Sequence, residues 1–309
     1  MNSLLAIRHL DPPDIESLLS LAAHYKKVVE AREHVSVPFQ RSIGLLFFEN
    51  STRTRVSFEQ AAYFLGHKCV NFSGSGSSMR KGETLKDTIL TLKHERLEAV
   101  VIRHSASGAC NLAAKYFEGP VINAGDGRHE HPTQALGDAM TILERKGTLN
   151  GLKVAIVGDV THSRVARSNA WLLSKMGAEV RFVGPRTLMP SQTSGLPGTA
   201  FYDLRAGLAE VDVVIALRLQ RERMDDGLVS VGEYRRVYQI NRTSLRAAAP
   251  DAIVMHPGPL NRGVEIDDTT ADGPVSAINE QVTNGIYVRM AALTWSLECG
   301  DPLAQGGLA

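Results

Sequence analysis

Eight short apolar runs punctuate the chain, and stretches of helical spacing lie between them. The first four are residues 43–48, 68–72, 99–102 and 121–123; the second four are 154–158, 180–183, 211–215 and 252–255. Alternation of this kind argues for parallel α/β sheet, in which helices cover the faces and the strands read as continuous apolar runs. The opening helix is legible in detail. Asp11-Pro-Pro-Asp14 places proline and acidic residues where a first turn favours them, and Ile15, Leu18, Leu19, Leu21 and Ala22 follow at amphipathic spacing. Between the two series lies the polar segment Arg145-Lys-Gly-Thr-Leu-Asn-Gly151. With 309 residues, at roughly 150 per domain, the chain reads as two domains. The expected division is 1–145 and 146–274, with a helix in 275–300 packing back on the first; the Gly-rich tail from 300 to 309 is expected to fray.

Charge excludes some functions and leaves others open. Lys and Arg number 34 against 33 Asp and Glu, a net charge of +1. A broadly basic surface for nucleic acid is excluded on that balance, as is a polybasic membrane anchor. No stretch approaches the ~18 apolar residues a spanning helix needs, and the first ten residues lack a signal-peptide pattern. Cys69, Cys110 and Cys299 are scattered and form no paired motif. They suit reduced thiols in a cytoplasmic protein better than a disulfide framework or a zinc site.

In open α/β sheets ligands bind beyond the carboxyl ends of the strands, so the residues that follow each run carry the argument. After the first run comes Ser51-Thr-Arg-Thr-Arg55, leading into a helix. A helix N-terminus flanked by hydroxyls and guanidinium groups is an anion site, with Ser51, Thr52 and Thr54 as donors and Arg53 as a bidentate fork. The plain alternative is a helix capped by Ser51 with its arginines in water. Arg103 follows the third run. His131-Pro-Thr-Gln134 follows the fourth and carries an imidazole and an amide to the start of another helix. His129 and Glu130 beside it lack metal-ligand spacing, and no metal is expected. The loop 73–82 ends in Arg80 and Lys81 and suits a lid that brings Lys81 to an anion.

In the second series, Gly158 stands where a dinucleotide fingerprint would need three glycines, so no nicotinamide cofactor is expected. Arg164 lies near the next helix start. Arg218 and Gln220 share one face of an extended segment. His256-Pro-Gly-Pro259 is a rigid turn, and Gly258–Pro259 is a candidate cis bond.

Taken together and in this order, Ser51-Thr-Arg-Thr-Arg55, His131-Pro-Thr-Gln134 and His256-Pro-Gly-Pro259 resemble the aspartate carbamoyltransferase family over nearly the whole chain. Ornithine carbamoyltransferases resemble the first half but carry different acceptor motifs. Gly258 departs from the leucine common in the aspartate enzymes. The resemblance implies a two-domain α/β fold, each domain a parallel sheet flanked by helices. It implies transfer of the carbamoyl group of carbamoyl phosphate to the α-amine of L-aspartate, the committed step of pyrimidine synthesis, with no cofactor.

Carried over residue by residue, Ser51, Thr52, Arg53, Thr54 and Arg103 hold the phosphate, while Thr54, Arg103 and His131 donate to the carbonyl oxygen. Gln134 and the Gly258 carbonyl, beside Pro259, orient the carbamoyl amide. Lys81, Arg164, Arg218 and Gln220 take the aspartate carboxylates. Ser77 and Lys81 come from the neighbouring subunit of a homotrimer with shared sites, and the resemblance admits regulatory chains or a dihydroorotase as further partners. The residues agree on their own terms. Two anionic substrates need cations, and Arg53, Lys81, Arg103, Arg164 and Arg218 supply five. Another amino-acid acceptor such as ornithine is the nearest alternative, a phosphate-sensing module without turnover the next, and a Rossmann oxidoreductase a distant third.

Overall fold

The computed structural model describes residues 2–35, 39–73, 83–190, 195–219 and 230–298. Ser77, Lys81, Gln220, Cys299 and the tail expected to fray lie outside them. The chain forms two compact units. The first runs to Met140 and takes up the chain again from Thr283; the second is Thr141–Val282.

The first unit opens with α1 (Pro12–Glu30), whose entry is held by a bond from the Asp11 amide to Asp14 Oδ2 at 3.3 Å. Ile15, Leu18, Leu19, Leu21, Ala22 and Tyr25 form its buried stripe, in the register the sequence predicts. There follow β1 (Ser42–Phe47), α2 (Thr52–Phe64), β2 (Lys68–Ser73), α3 (Leu85–His94), β3 (Ala99–His104), α4 (Ala109–Tyr116) and β4 (Val121–Asp126). Helix α5 (Pro132–Lys146) leads out of the unit, and α10 (Ile278–Leu297) returns to it. The four strands are parallel, in the order β2-β1-β3-β4. β4 is buried throughout and β1 at all but its first residue, as helix-covered parallel strands must be. α10 ties itself to α1 through Tyr25 Oη and Thr294 Oγ1, 2.8 Å apart, and through Lys26 Nζ donating to Asn284 Oδ1 at 3.0 Å.

The second unit contains β5 (Lys153–Val157), α6 (Arg164–Lys175), β6 (Glu179–Val183), β7 (Thr199–Phe201), α7 (Leu204–Gly207), β8 (Val213–Ala216), α8 (Val231–Tyr238), β9 (Ile253–Met255) and α9 (Asp268–Ala271). Its sheet is also parallel, in the order β7-β6-β5-β8-β9. The fold class is therefore α/β, two parallel sheets each flanked by helices. All eight apolar runs are strands. β7 escaped the sequence reading because it is three residues long at a sheet edge, with two of the three exposed.

Both sheets reverse direction once. In the first, the chain moves outward from β1 to β2, then crosses back to β3 and β4 on the other side of β1. In the second, it moves from β5 through β6 to β7, then crosses back to β8 and β9. The openings between β1 and β3 and between β5 and β8 are thus topological switch points, where loops diverge and leave room for a ligand.

Candidate active site

Each switch point carries residues singled out from the sequence. In the first unit, the segment after β1 leads into α2, and Ser51 is the residue before that helix. Ser51 makes no side-chain cap bond. Its hydroxyl donates instead to Thr54 Oγ1 at 3.0 Å, so its oxygen is not spent on the first-turn amides. Thr52 and Arg53 are exposed and Thr54 is buried. Arg53 is accessible, yet desolvation lowers its pKa, partly offset by the charge of Asp138. A guanidinium that water can reach but protein crowds gains from an arriving anion.

Arg103 is the next-to-last residue of β3 and lies opposite Phe47 of β1. Its Nη1 donates to the Ala124 carbonyl at 3.1 Å, and its Nη2 stands 3.6 Å from Glu49 Oε1. One partner on β4 and one in the segment after β1 fix its direction. His131 is buried and immediately precedes α5. One turn on, Gln134 Nε2 donates to Asp138 Oδ1 at 2.8 Å. A carboxylate only accepts, so this bond settles which end of the Gln134 amide faces inward and turns its carbonyl oxygen the other way.

Behind these residues lies a cation that motif reading did not find. Arg289 of α10 is buried and donates to the Gly285 carbonyl at 2.6 Å and to Ser57 Oγ of α2 at 3.1 Å. Its guanidinium stands 5.3 Å from the Phe58 ring centroid. Burial first, and then Arg53, bring its pKa down to about 9. The sequence signal was a lone charge in Ile-Tyr-Val-Arg-Met-Ala-Ala-Leu. Asp138 had its own signal, four residues after Gln134 on one helix face.

The His129-Glu130 pair serves the fold. Glu130 accepts from the amides of Ile7 and Arg8 at 2.8 and 3.3 Å. His129 Nδ1 lies 3.1 Å from Asp126 Oδ1. The hydrogen bond to Asp126 raises the His129 pKa. A raised histidine value means its charged form adds stability below its ordinary pKa near 6.5, and that contribution fades as pH rises through the folded value. The thermal midpoint gap between the native protein and His129→Gln is therefore expected to be larger at pH 5.5 than at pH 8.5. A gap that does not change with pH would show that folding leaves the proton affinity of the imidazole unaltered.

In the second unit, Gly158 follows β5 with φ +128°, and an added Cβ would stand 3.0 Å from Tyr234 Oη and 3.2 Å from the Leu217 carbonyl. Close packing against Tyr234 and against the segment after β8, which carries Arg218, explains this glycine. Asp159 holds the following turn, accepting from the His162 amide at 3.1 Å and from His162 Nδ1 at 2.8 Å. Ser163 caps α6 through the Ala166 amide at 3.1 Å, and Arg164 is the first residue of that helix, buried. Arg218 is two residues beyond β8 and half-buried. His256-Pro-Gly-Pro259 follows β9, with Gly258 at φ +59° and Gly258–Pro259 cis. The left-handed φ suits glycine at the position where the family pattern has leucine.

Comparison with known proteins adds an independent finding. The family described as "Aspartate/ornithine carbamoyltransferase, carbamoyl-P binding domain" matches residues 2–144, and the "Aspartate/ornithine carbamoyltransferase, Asp/Orn binding domain" matches 150–296. The aspartate carbamoyltransferase catalytic subunit of Granulibacter bethesdensis is 54% identical, covering 94% of this chain and 93% of that protein. The same subunit from Acidiphilium cryptum is 52% identical over 99% of this chain and 97% of its own. Among solved structures, aspartate transcarbamoylase from Trypanosoma cruzi in complex with N-(phosphonacetyl)-L-aspartic acid superposes with a TM-score of 0.87 at 33% identity, covering 94% of each chain. Ornithine carbamoyltransferase from Pyrococcus furiosus gives the same TM-score at 29% identity, covering 96% of this chain and 97% of its own. Backbone likeness alone does not separate the two acceptors; sequence does.

Proposed function

The chain belongs to the aspartate/ornithine carbamoyltransferase family, and from that membership we propose that it transfers the carbamoyl group of carbamoyl phosphate to the α-amine of L-aspartate. The products are N-carbamoyl-L-aspartate and phosphate, the committed step of pyrimidine synthesis. The observation that carries this reading is the placement of arginines at both switch points: Arg53 beyond β1 and Arg103 at the carboxyl end of β3, Arg164 beyond β5 and Arg218 beyond β8. Two anionic substrates suit such a chain; an acceptor with a cationic side chain would call for a carboxylate to meet it, whereas Asp159 beyond β5 is bonded to His162 and Glu265 beyond β9 to His256 and Asn261.

The chemistry is what the family resemblance implies for these residues. Ser51, Thr52, Arg53, Thr54 and Arg103 hold the phosphate. The neutral amine of aspartate attacks the carbonyl carbon, and Thr54, Arg103 and His131 donate to the oxygen as it gains charge. The carbamoyl NH2 is read by acceptors. Gln134 offers its carbonyl oxygen because its NH2 end is committed to Asp138, and Gly258 offers its backbone carbonyl. The C–O bond to phosphate breaks, and the departing phosphate takes the amine proton. Arg164, Arg218, Gln220 and Lys81 orient aspartate through its carboxylates. Orientation and charge stabilisation supply the acceleration. The same proposal assigns 1–145 with 275–300 to carbamoyl phosphate and 146–274 to aspartate. It makes the enzyme a cytoplasmic homotrimer in which Ser77 and Lys81 complete the neighbour's site. No described helix is long and apolar enough to cross a membrane, and Cys69 and Cys110 are not joined in a disulfide.

Two experiments test these assignments. With carbamoyl phosphate and a panel of amines, the native protein is expected to use L-aspartate, and Arg218→Ala to lose that activity by about 10²-fold or more through a lost charge-assisted pair. An undiminished Arg218→Ala enzyme would remove that residue from the acceptor site. Mixing inactive Arg53→Ala and Lys81→Ala trimers after reversible dissociation is expected to regain activity. Failure of every mixture would count against shared sites.

A further inference from the structure

The mechanism asks only for the Gly258 carbonyl from the turn after β9, yet the turn is built around side chains with no assigned part in the reaction. His256 is buried, 1% exposed, at the end of that strand. Its amide donates to Gln281 Oε1 at 2.8 Å, which anchors the residue to the start of α10. Its ring spans two groups. The Gly258 amide donates to Nδ1 at 2.8 Å, and Nε2 lies 3.1 Å from Glu265 Oε1. Because Nδ1 accepts, the proton must sit on Nε2 and point at the carboxylate. The tautomer follows from the neighbours on both sides.

Glu265 is equally buried, and the same Oε1 accepts from the Asn261 amide at 2.6 Å. The Asn261 side chain then reaches the loop after β8, where Nδ2 donates to the Leu219 carbonyl in a long bond of 3.4 Å. Leu219 directly follows Arg218. A continuous path of hydrogen bonds therefore joins Gly258, His256, Glu265, Asn261 and Leu219, all within the second unit.

We propose that His256, Glu265 and Asn261 are positioning residues that set the Gly258 carbonyl and the Arg218 loop in one fixed relation. This inference rests on the carbamoyl-transfer reading, since it assumes that Gly258 meets the carbamoyl amide and Arg218 the acceptor. Its physical content is economy of alignment. A glycine at positive φ between two prolines would present its carbonyl in a narrower range once its own amide is pinned by a ring that cannot turn. Pinning the acceptor loop to the same carboxylate makes an error in one half an error in both, so the two reacting groups stay in register.

Amide substitutions separate the two ends of the ring. Asparagine can reproduce the Nδ1 acceptor, and glutamine the Nε2 donor. His256→Asn is expected to keep kcat within about tenfold of the native value, whereas His256→Gln, which drops the Gly258 bond, is expected to lose about 10²-fold in kcat. Asn261→Ala removes only the link to Leu219 and is expected to raise KM for aspartate about fivefold while leaving KM for carbamoyl phosphate unchanged. Turnover of the native protein is measured first. Its absence would overturn the functional reading, and this inference with it. With native turnover intact, equal losses in the two His256 variants would overturn the inference alone. So would an unchanged KM for aspartate in Asn261→Ala, a half-buried site whose substitution decides the matter even if His256→Gln fails to fold.

Discussion

Arg53→Ala is expected to lower kcat by about three orders of magnitude, because it strips a charge-assisted fork from a phosphate that must carry growing negative charge as it departs. The fold is expected to tolerate the change. Arg53 is exposed in the first turn of α2, desolvation disfavours its charge, and the buried Arg289 is a cationic neighbour. Removing one of two neighbouring cations relieves repulsion, so the thermal midpoint should stay level or rise while activity collapses. Arg53→Lys keeps the charge but loses the planar fork and is expected to fall between. Steady-state kinetics with a melting curve on the same samples checks both halves. A near-native rate in Arg53→Ala would remove the segment after β1 from the site.

Asp126→Ala is expected to be the most damaging single change to stability. Asp126 ends β4, is fully buried, and its carboxylate accepts from the Gly108 amide at 2.7 Å, Asn123 Nδ2 at 2.8 Å, the Glu130 amide at 3.2 Å and His129. Alanine leaves those donors unsatisfied in the interior, at a cost of roughly 3–5 kcal/mol and a midpoint lower by on the order of 10 °C. Activity falls with it, because this carboxylate holds the turn that leads to His131. Burial pushes the Asp126 pKa up, but hydrogen bonds from His129 and Asn123 outweigh it and the net shift is downward. A depressed carboxylate contributes fully above its ordinary pKa near 4 and is lost as pH falls through the lower folded value. Native stability is thus expected to fall steeply in strong acid, and less steeply in Asp126→Asn. Parallel acid-melting curves would show that the carboxylate is not a keystone.

The sequence revealed what repeats and what clusters. Strands buried on both faces read as apolar runs, and the candidate arginines stood out because each follows such a run. Edge placement hid β7, which has too little burial to need an apolar run. Other parts were hidden because a sequence pattern does not show which partner a side chain takes. Ser51 reads as a cap from composition, but its hydroxyl turns to Thr54. Glu265 lies nine residues from His256, with no period linking them, and only the fold brings the two together. Gly158 resembles a remnant of a nucleotide loop until Tyr234 and Leu217 are seen against it. Motifs located the groups proposed to face the ligand; the side chains bonded behind those groups emerged only from packing.

The central claim is that one acyl group passes from phosphate to the amine of aspartate on this chain. The direct measurement is carbon-13 NMR of the native protein with carbonyl-labelled carbamoyl phosphate and L-aspartate. The expected result is a labelled ureido carbon in N-carbamoyl-L-aspartate, formed in step with phosphate. Phosphate release without that product, or label transferred to L-ornithine in preference to L-aspartate, would contradict it.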